Sequence, residues 1–198
     1  MDNVDGLIVA FITRRMTVLP FISKLTPEQA AATFMLGESV ETSAGDPTKA
    51  GESVRVVGTN PFLLGSPSDE GNWFYDFVSS NKDKVNCYLL NTGGVGEIFH
   101  RDDAGKIVVD QPVTRVAIDD MAKMIRGMTR NDIEWVEDEL FGGEVPSKVE
   151  GVDLSKYDLS NFYSEDQIKE ISNKLTDERK AHLKSFEGLH PSIATALD

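Results

Sequence analysis

Apolar positions along this chain follow two periods, and the switches between them mark the predicted elements. Leu7-Ile8-Val9-Ala10-Phe11-Ile12-Thr13 is a short unbroken apolar run, which predicts a strand covered on both faces. Val54-Arg55-Val56-Val57 and Val85-Asn86-Cys87-Tyr88-Leu89-Leu90 predict two further strands. Between them Trp73, Phe74, Phe77 and Val78 recur at helical spacing until Ser79-Ser80-Asn81. Strand, helix, strand predicts a parallel unit with a crossover helix. The last strand runs into Asn91-Thr92-Gly93-Gly94-Val95-Gly96, placing a glycine loop at its carboxyl end. The Leu7–Thr13 and Val85–Leu90 runs are expected in one sheet, with Gly93–Gly96 at its ligand-facing end. A continuous apolar strand this close to Met1 is an unusual edge, and predicts a sheet that continues beyond this chain.

The best-specified helix start is at Thr26-Pro27-Glu28-Gln29. Thr26 caps the free backbone N–H groups, Pro27 suits the first helical position and Gln29 completes a capping box. Gly37 supplies a residue able to close that helix in the left-handed conformation. A long loop follows to Gly51, containing Ser43-Ala44-Gly45-Asp46-Pro47-Thr48-Lys49-Ala50-Gly51, and Gly58-Thr59-Asn60-Pro61-Phe62 punctuates the chain again.

The second half reads as more helical. Val113, Val116, Ala117, Met121, Met124, Ile125 and Met128 predict the apolar face of one helix. Ile133, Val136 and Leu140 predict a shorter one ended by Gly142-Gly143, and Glu144 to Asn161 an extended connection over the surface. Ser164-Glu165-Asp166-Gln167 is a second capping box, opening a helix with Ile168, Ile171, Leu175, Leu183 and Phe186 inward. The expectation is one α/β domain over residues 1–198, a mixed sheet with flanking helices and a helical C-terminal segment at about 113–187.

Composition changes this picture little. With 198 residues, 40% of them hydrophobic, the chain can bury a core without covalent staples. Thirty-three acidic against 20 basic residues give a net charge of -13, which disfavours nucleic acid and anionic membranes as partners. Cys87 is the only cysteine, so no internal disulfide or cysteine zinc cluster forms. No apolar run reaches the ~20 residues of a membrane span, and the first residues lack the basic region of a secretory signal. A cytoplasmic setting is the expectation.

Candidate chemistry is sparse. No G-x-x-x-x-G-K-[ST] occurs, and Gly45-Asp46-Pro47-Thr48-Lys49 has the wrong order, with Pro47 removing a backbone donor. Gly93-Gly94-Val95-Gly96 suits an anion cradle, a close backbone approach or a plain turn. His100, His182 and His190 are far apart and none has a partner at metal-ligand spacing. Asp102-Asp103 and Asp119-Asp120 are adjacent carboxylates, read as solvated surface rather than magnesium ligands. Ser39, Ser43 and Cys87 lack a recognisable base. The residues by themselves describe an α/β domain with no self-sufficient catalytic centre.

A set of short motifs adds to this. Leu19-Pro20 and the run Leu25 to Gly37 come first, followed by Ala44-Gly45-Asp46, similar to an Ala-Gly-Thr-Glu motif. Tyr88-Leu89-Leu90-Asn91-Thr92-Gly93 matches Tyr-Leu-Val-Asn-Thr-Gly, and Thr114-Arg115 with Ile118-Asp119 matches Asp-Thr-Arg-x-Ile-Ile-Asp. Val145-Pro146, Gly151-Val152-Asp153 and Tyr163-Ser164 complete the series. In this order the chain resembles the C-terminal nucleotide-binding region of the ATP-dependent phosphoenolpyruvate carboxykinases. The resemblance implies conversion of oxaloacetate and ATP to phosphoenolpyruvate, ADP and carbon dioxide, a gluconeogenic reaction using magnesium and manganese. It also implies that the P-loop, metal ligands and oxaloacetate site lie upstream of the segment resembled here, in the same or a separate polypeptide.

What the resemblance leaves to this chain is the wall around the nucleotide base. That wall is carried by Gly105-Lys106-Ile107 and Thr114, with Arg115 and the loop glycines Gly93 and Gly94. There are departures from the family pattern. Gly-Lys-Arg-Ile loses its arginine, the spacing to Thr114 is one residue longer, and Asn-Thr-Gly-Trp reads Asn91-Thr92-Gly93-Gly94. An acidic insertion with Arg101-Asp102-Asp103 precedes Gly105. Thr114 is equally a helix N-cap and Lys106 an exposed loop charge. If both touch ligand, they are expected to face one cleft near the glycine loop. Three readings follow: a carboxykinase part inactive by itself, a subunit of a split enzyme, and a non-catalytic nucleotide-sensing or interaction module.

Overall fold

A computed structural model of the chain describes residues 5–40, 53–55, 57 and 65–198. The Ala44-Gly45-Asp46 motif, most of its loop and the Gly58–Phe62 punctuation lie outside the described residues. The elements are β1 (Leu7–Thr13), β2 (Ile22–Leu25), α1 (Pro27–Leu36), β3 (Glu38–Val40), β4 (Ser53–Arg55), α2 (Pro67–Ser80) and β5 (Val85–Asn91). There follow β6 (Gly94–Val95), β7 (Ile98–Arg101), β8 (Ile107–Gln111), β9 (Thr114–Arg115) and α3 (Ile118–Arg130). The chain finishes with β10 (Glu134–Glu137), β11 (Glu144–Lys148), α4 (Glu165–Lys184) and α5 (Pro191–Ala194).

The main sheet has the order β1-β5-β2-β11-β10. Only β1 and β5 run parallel, in register from Leu7 opposite Val85 to Thr13 opposite Asn91; the other pairs are antiparallel. This is a mixed α/β sheet, and the two apolar runs expected in one sheet are neighbours in it. Side chains alternate faces along a strand, so β5 feeds two cores at once. Val85 and Cys87 pack with α1, α2, Leu183 of α4 and Ile193 of α5. Tyr88 and Leu90 pack on the other face with Met124 and Met128 of α3. The caps are as expected. Gln29 N donates to Thr26 Oγ1 and Thr26 N to Gln29 Oε1, and Gly37 closes α1 at φ +46°. Ser164 and Gln167 repeat the box on α4.

Five expectations need correction. β1 is an edge strand with one open face, not a strand covered on both. Val9 and Phe11 pack against the α1–α2 core, while Ile8, Ala10 and Ile12 are exposed. β4 pairs antiparallel with β3 in a sheet of its own, so it does not precede β5 in a parallel unit; the parallel partner of β5 is β1.

Residues 113–117 are not helical. Thr114-Arg115 pairs with Gly94-Val95, and α3 begins after an Ala117 cap that makes no side-chain hydrogen bond. Pro112 and two β-branched valines favour this extended entry. Ile133, Val136 and Leu140 belong to a hairpin instead of a helix. Gly142 and Gly143, at φ +68° and +75°, make its turn against Gln29 and the Lys24 carbonyl. Glu144–Asn161 is no mere connection, because its first five residues form β11 inside the sheet and two 3-10 turns follow at Leu154–Tyr157 and Leu159–Asn161. Three- and four-residue spacing of apolar residues cannot separate a short helix from a strand and its turn.

Candidate functional site

The carboxyl ends of β1 and β5 are locked together by Asn91, whose side chain is fully buried. Its Oδ1 accepts from Arg15 N (2.8 Å) and Gly93 N (3.1 Å), and its Nδ2 donates to the Leu19 carbonyl (3.0 Å). Gly94 N then donates to the Arg15 carbonyl, Gly96 N to Thr17 and Glu97 N to Met16. The loop lies flat on residues 15–17, and its glycines make that approach possible. A Cβ on Gly94 would meet Val113 Cγ2 at 2.4 Å, and one on Gly96 would meet the Phe162 ring. The N–H groups of Gly93, Gly94 and Gly96 are all used within the chain. Of the sequence-level alternatives, close backbone approach describes the loop and an anion cradle does not.

From this loop an antiparallel ribbon rises. Its base is β6 against β9, with Gly94 opposite Arg115 and Val95 opposite Thr114. Its distal part is β7 against β8, from Ile98 opposite Gln111 to Arg101 opposite Ile107. Thr114 is therefore half-buried at the base, and Lys106 is exposed at the far turn, where Lys106 N donates to Asp102 Oδ1 (2.8 Å). Seven steps of extended chain lead from Ile107 to Thr114, a span of roughly 20 Å at strand rise. The ribbon places Gly93, Gly94, Thr114 and Arg115 together and holds Lys106 and Ile107 apart from them.

The ribbon is braced where it meets the body. Gln111 Nε2 donates to the Gly96 carbonyl, and Tyr163 Oη donates to the Glu97 carbonyl (2.9 Å). Burial, with the nearby Glu97 charge, pushes the Tyr163 phenol up to about 12. Burial also raises the Glu97 carboxyl, against the opposing pull of Arg115. Near the tip, His100 Nδ1 and Asp110 Oδ2 lie 2.8 Å apart.

A second site is illegible in the sequence. Glu38, the first residue of β3, has a 5% exposed side chain surrounded by three guanidinium groups. Arg179 of α4 donates from Nε (2.9 Å) and Nη2 (2.5 Å) to Glu38 Oε2, from 141 positions away. Arg15 Nη2 bonds Glu38 Oε1, and Arg55 Nη2 of β4 stands 3.6 Å from the same oxygen. Burial favours a neutral Glu38, but Arg179 and Arg15 outweigh it and hold the carboxyl below the usual range. Arg179 also lies over the Phe141 ring at 5.5 Å. No local motif announces this cluster, because its members come from four separated segments.

Of the paired carboxylates, Asp120 is not solvated surface. It is buried and accepts from Tyr157 Oη at 2.7 Å, while Ala117 N donates to that same phenol. The pair ties the start of α3 to the Leu154–Tyr157 turn. Among the described residues no group of three or more His, Cys, Asp or Glu side chains is placed to hold a metal ion. The described residues thus offer no such group to the magnesium and manganese whose ligands the resemblance puts upstream. A cavity of about 360 Å³ reaches Arg179 from the β10–β11 turn, but Glu137, Asp138, Glu139 and Asp198 line it and make it hostile to anions. No helix among the described residues is long and apolar enough to cross a membrane.

Comparison with known proteins finds similarity to an enzyme family. Residues 5–155 match the family described as phosphoenolpyruvate carboxykinase. The Aeropyrum pernix phosphoenolpyruvate carboxykinase (ATP) is 29% identical over 201 residues, covering 100% of this chain and 35% of that protein. The Sinorhizobium fredii enzyme is 31% identical over 174 residues, 86% of this chain and 30% of that protein. The enzyme of Rhodopseudomonas palustris strain TIE-1 is 33% identical over 138 residues, 68% and 24% respectively. The chain thus spans between a quarter and about a third of the length of these relatives. With its mixed sheet, its Asn-Thr-Gly loop and a match over most of its length, the chain belongs to the ATP-dependent phosphoenolpyruvate carboxykinase family.

Proposed function

We propose that this chain is the nucleotide-side part of an ATP-dependent phosphoenolpyruvate carboxykinase and works only with the remaining part of that enzyme. In the reaction so assigned, oxaloacetate and ATP give phosphoenolpyruvate, ADP and carbon dioxide. The observation that carries the reading is the family match over residues 5–155 in a chain spanning 24% to 35% of its relatives. Phosphoryl transfer needs cations and metal ions clamped on the phosphates, and the described residues supply no metal cluster. The partner is accordingly a polypeptide carrying a P-loop and the metal ligands, in a cytoplasmic setting.

Two surfaces support the need for that partner. The open face of β1 exposes Ile8 and Ile12, and an uncharged edge strand of seven residues suits continuation of the sheet by another strand. On the ribbon, cross-strand partners Phe99 and Val109 are 40% and 52% exposed. In the complete enzyme Thr114 and Arg115, beside Gly93 and Gly94, form the base-side wall of the ATP site. Lys106 and Ile107 contribute only if the ligand extends along the ribbon.

The test is oxaloacetate-dependent ADP formation by the purified chain, alone and mixed with a P-loop polypeptide from a relative. No turnover alone and turnover on mixing is the expected result. Turnover by the isolated chain would overturn the reading, and none in either case would favour a non-catalytic module.

A further inference from the structure

Helix α3 carries apolar residues on its outer side as well as its inner one. Met124 and Met128 are buried against the sheet, as their spacing predicts, together with Asp120 and Gly127. Ile125, expected inward with them, is 37% exposed, and Ile118 is 87% exposed. At roughly 100° per residue, Ile118, Ala122, Ile125 and Thr129 form one stripe on the side away from the core. Ala122 is half-buried, and Thr129 is exposed with its hydroxyl donating to the Arg126 carbonyl (2.9 Å). Exposed apolar residues scattered singly are ordinary; two isoleucines on one helical stripe make a contact face.

The flank of this stripe is charged in two halves. Asp119, Arg126 and Arg130 lie within roughly 40° of one another beside it, acid at the start of the helix and base at its end. Among the described residues none of the three enters an ion pair, and Arg126 Nε reaches only the Ala122 carbonyl of its own helix (3.3 Å). Lys123, by contrast, is held by the Gly151 carbonyl (2.8 Å) and stands near Asp120. The spacing of the stripe, four then three then four residues, reads the same in either direction. A second copy of α3 turned end over end therefore sets Ile118 against the partner's Thr129 and Ala122 against the partner's Ile125. In that register Asp119 comes level between the partner's Arg126 and the partner's Arg130. The helix dipoles run in opposition, and each acid meets the basic end of the other helix.

We propose that the outer face of α3 is the interface of a homodimer, in which two copies pair antiparallel about a two-fold axis level with the midpoint between Ala122 and Ile125. A two-fold contact needs one patch that is complementary to itself, and this stripe with its divided charge meets that need. Alanine opposite isoleucine lets the helices approach to the roughly 8–10 Å of packed pairs. One helix face is a small contact, so the dimer belongs to the weak, reversible class. The net charge of -13 works against association, so the Asp119–arginine pairs fix the register more than they add strength. The contact uses neither β1 nor the β7–β8 ribbon, the surfaces assigned above to the P-loop polypeptide.

The experiment is sedimentation velocity of the whole chain over a concentration series to about 1 mM, in about 0.15 M salt to screen the net charge. A monomer–dimer equilibrium is expected. Ile125→Glu, at an exposed position, should keep the parent Tm and weaken dimerisation at least about tenfold. Asp119→Arg in one variant, and Arg126→Glu with Arg130→Glu in another, should each weaken self-association by setting like charges opposite one another. Mixed in equal amounts, these two variants should dimerise with each other better than either does alone, because both charge pairs return with reversed sign. A mere loss of stability would give no such recovery. A chain that stays monomeric throughout the series would overturn the proposal. So would a dimer that Ile125→Glu leaves intact, or charge variants that gain nothing on mixing. No nucleotide and no second polypeptide takes part, so the outcome is separate from the carboxykinase reading.

Discussion

The carbonyl oxygen of Arg15 occupies the space where a side chain at Gly93 would begin: a Cβ there would lie 1.9 Å from it. The obstacle is backbone, and Arg15 N and Gly93 N share the Asn91 Oδ1 acceptor, so neither strand exit can shift without breaking that bond. Gly93→Ala should destabilise the fold by about 3 kcal/mol or more, as overpacking against fixed backbone does. Chemical denaturation reads this directly; an unchanged midpoint would show that the loop does not lie on Arg15.

Glu38→Gln should cost about 3–5 kcal/mol, because it removes the buried carboxylate that Arg15, Arg55 and Arg179 share. The parent chain should show a matching pH dependence. A carboxyl held below its ordinary value of 4.5 in the fold stabilises fully above that value and loses its contribution as pH falls through the folded one. The gap between parent and variant should accordingly narrow in acid. A gap that stays constant down the pH series would refute the charge-based account.

Cys87 is 2% exposed in the centre of the sheet, and burial pushes its thiol up to about 11. Thiolate is the reactive form, so native chain should resist iodoacetamide at neutral pH. Labelling should proceed at the rate of unfolding and complete in denaturant. Rapid modification of folded protein, followed by mass spectrometry, would place the residue elsewhere.

Ile12 is 69% exposed on the open face of β1, so Ile12→Lys should change the stability of the isolated chain by less than about 0.5 kcal/mol. In the proposed assembly the same substitution puts a charge into the joint between two parts of a sheet. Co-elution with the P-loop polypeptide should be lost. Assembly that proceeds normally with Ile12→Lys would move the joint away from β1.

Local signals in the sequence settled the elements whose determinants lie within a few residues of one another. Thr26, Pro27, Gln29 and Gly37 specify both ends of α1, and Ser164 and Gln167 the start of α4, since a cap is satisfied by its own first turn. The unbroken apolar runs of β1 and β5 made them neighbours, and the motif Asn91-Thr92-Gly93 marked the loop at their end. Tertiary structure decided whatever depended on distant partners. Whether β1 has both faces covered depends on which helices pack over it, and Thr114 becomes a strand residue because Val95 is there to pair with it. Ile133, Val136 and Leu140 fit a helix by spacing, but the glycine turn and the edge of β11 make them a hairpin. The Glu38 cluster is the extreme case. Its members have no common motif and meet only when β1, β3, β4 and α4 converge, because the electrostatics that join them act through space and leave no pattern along the chain.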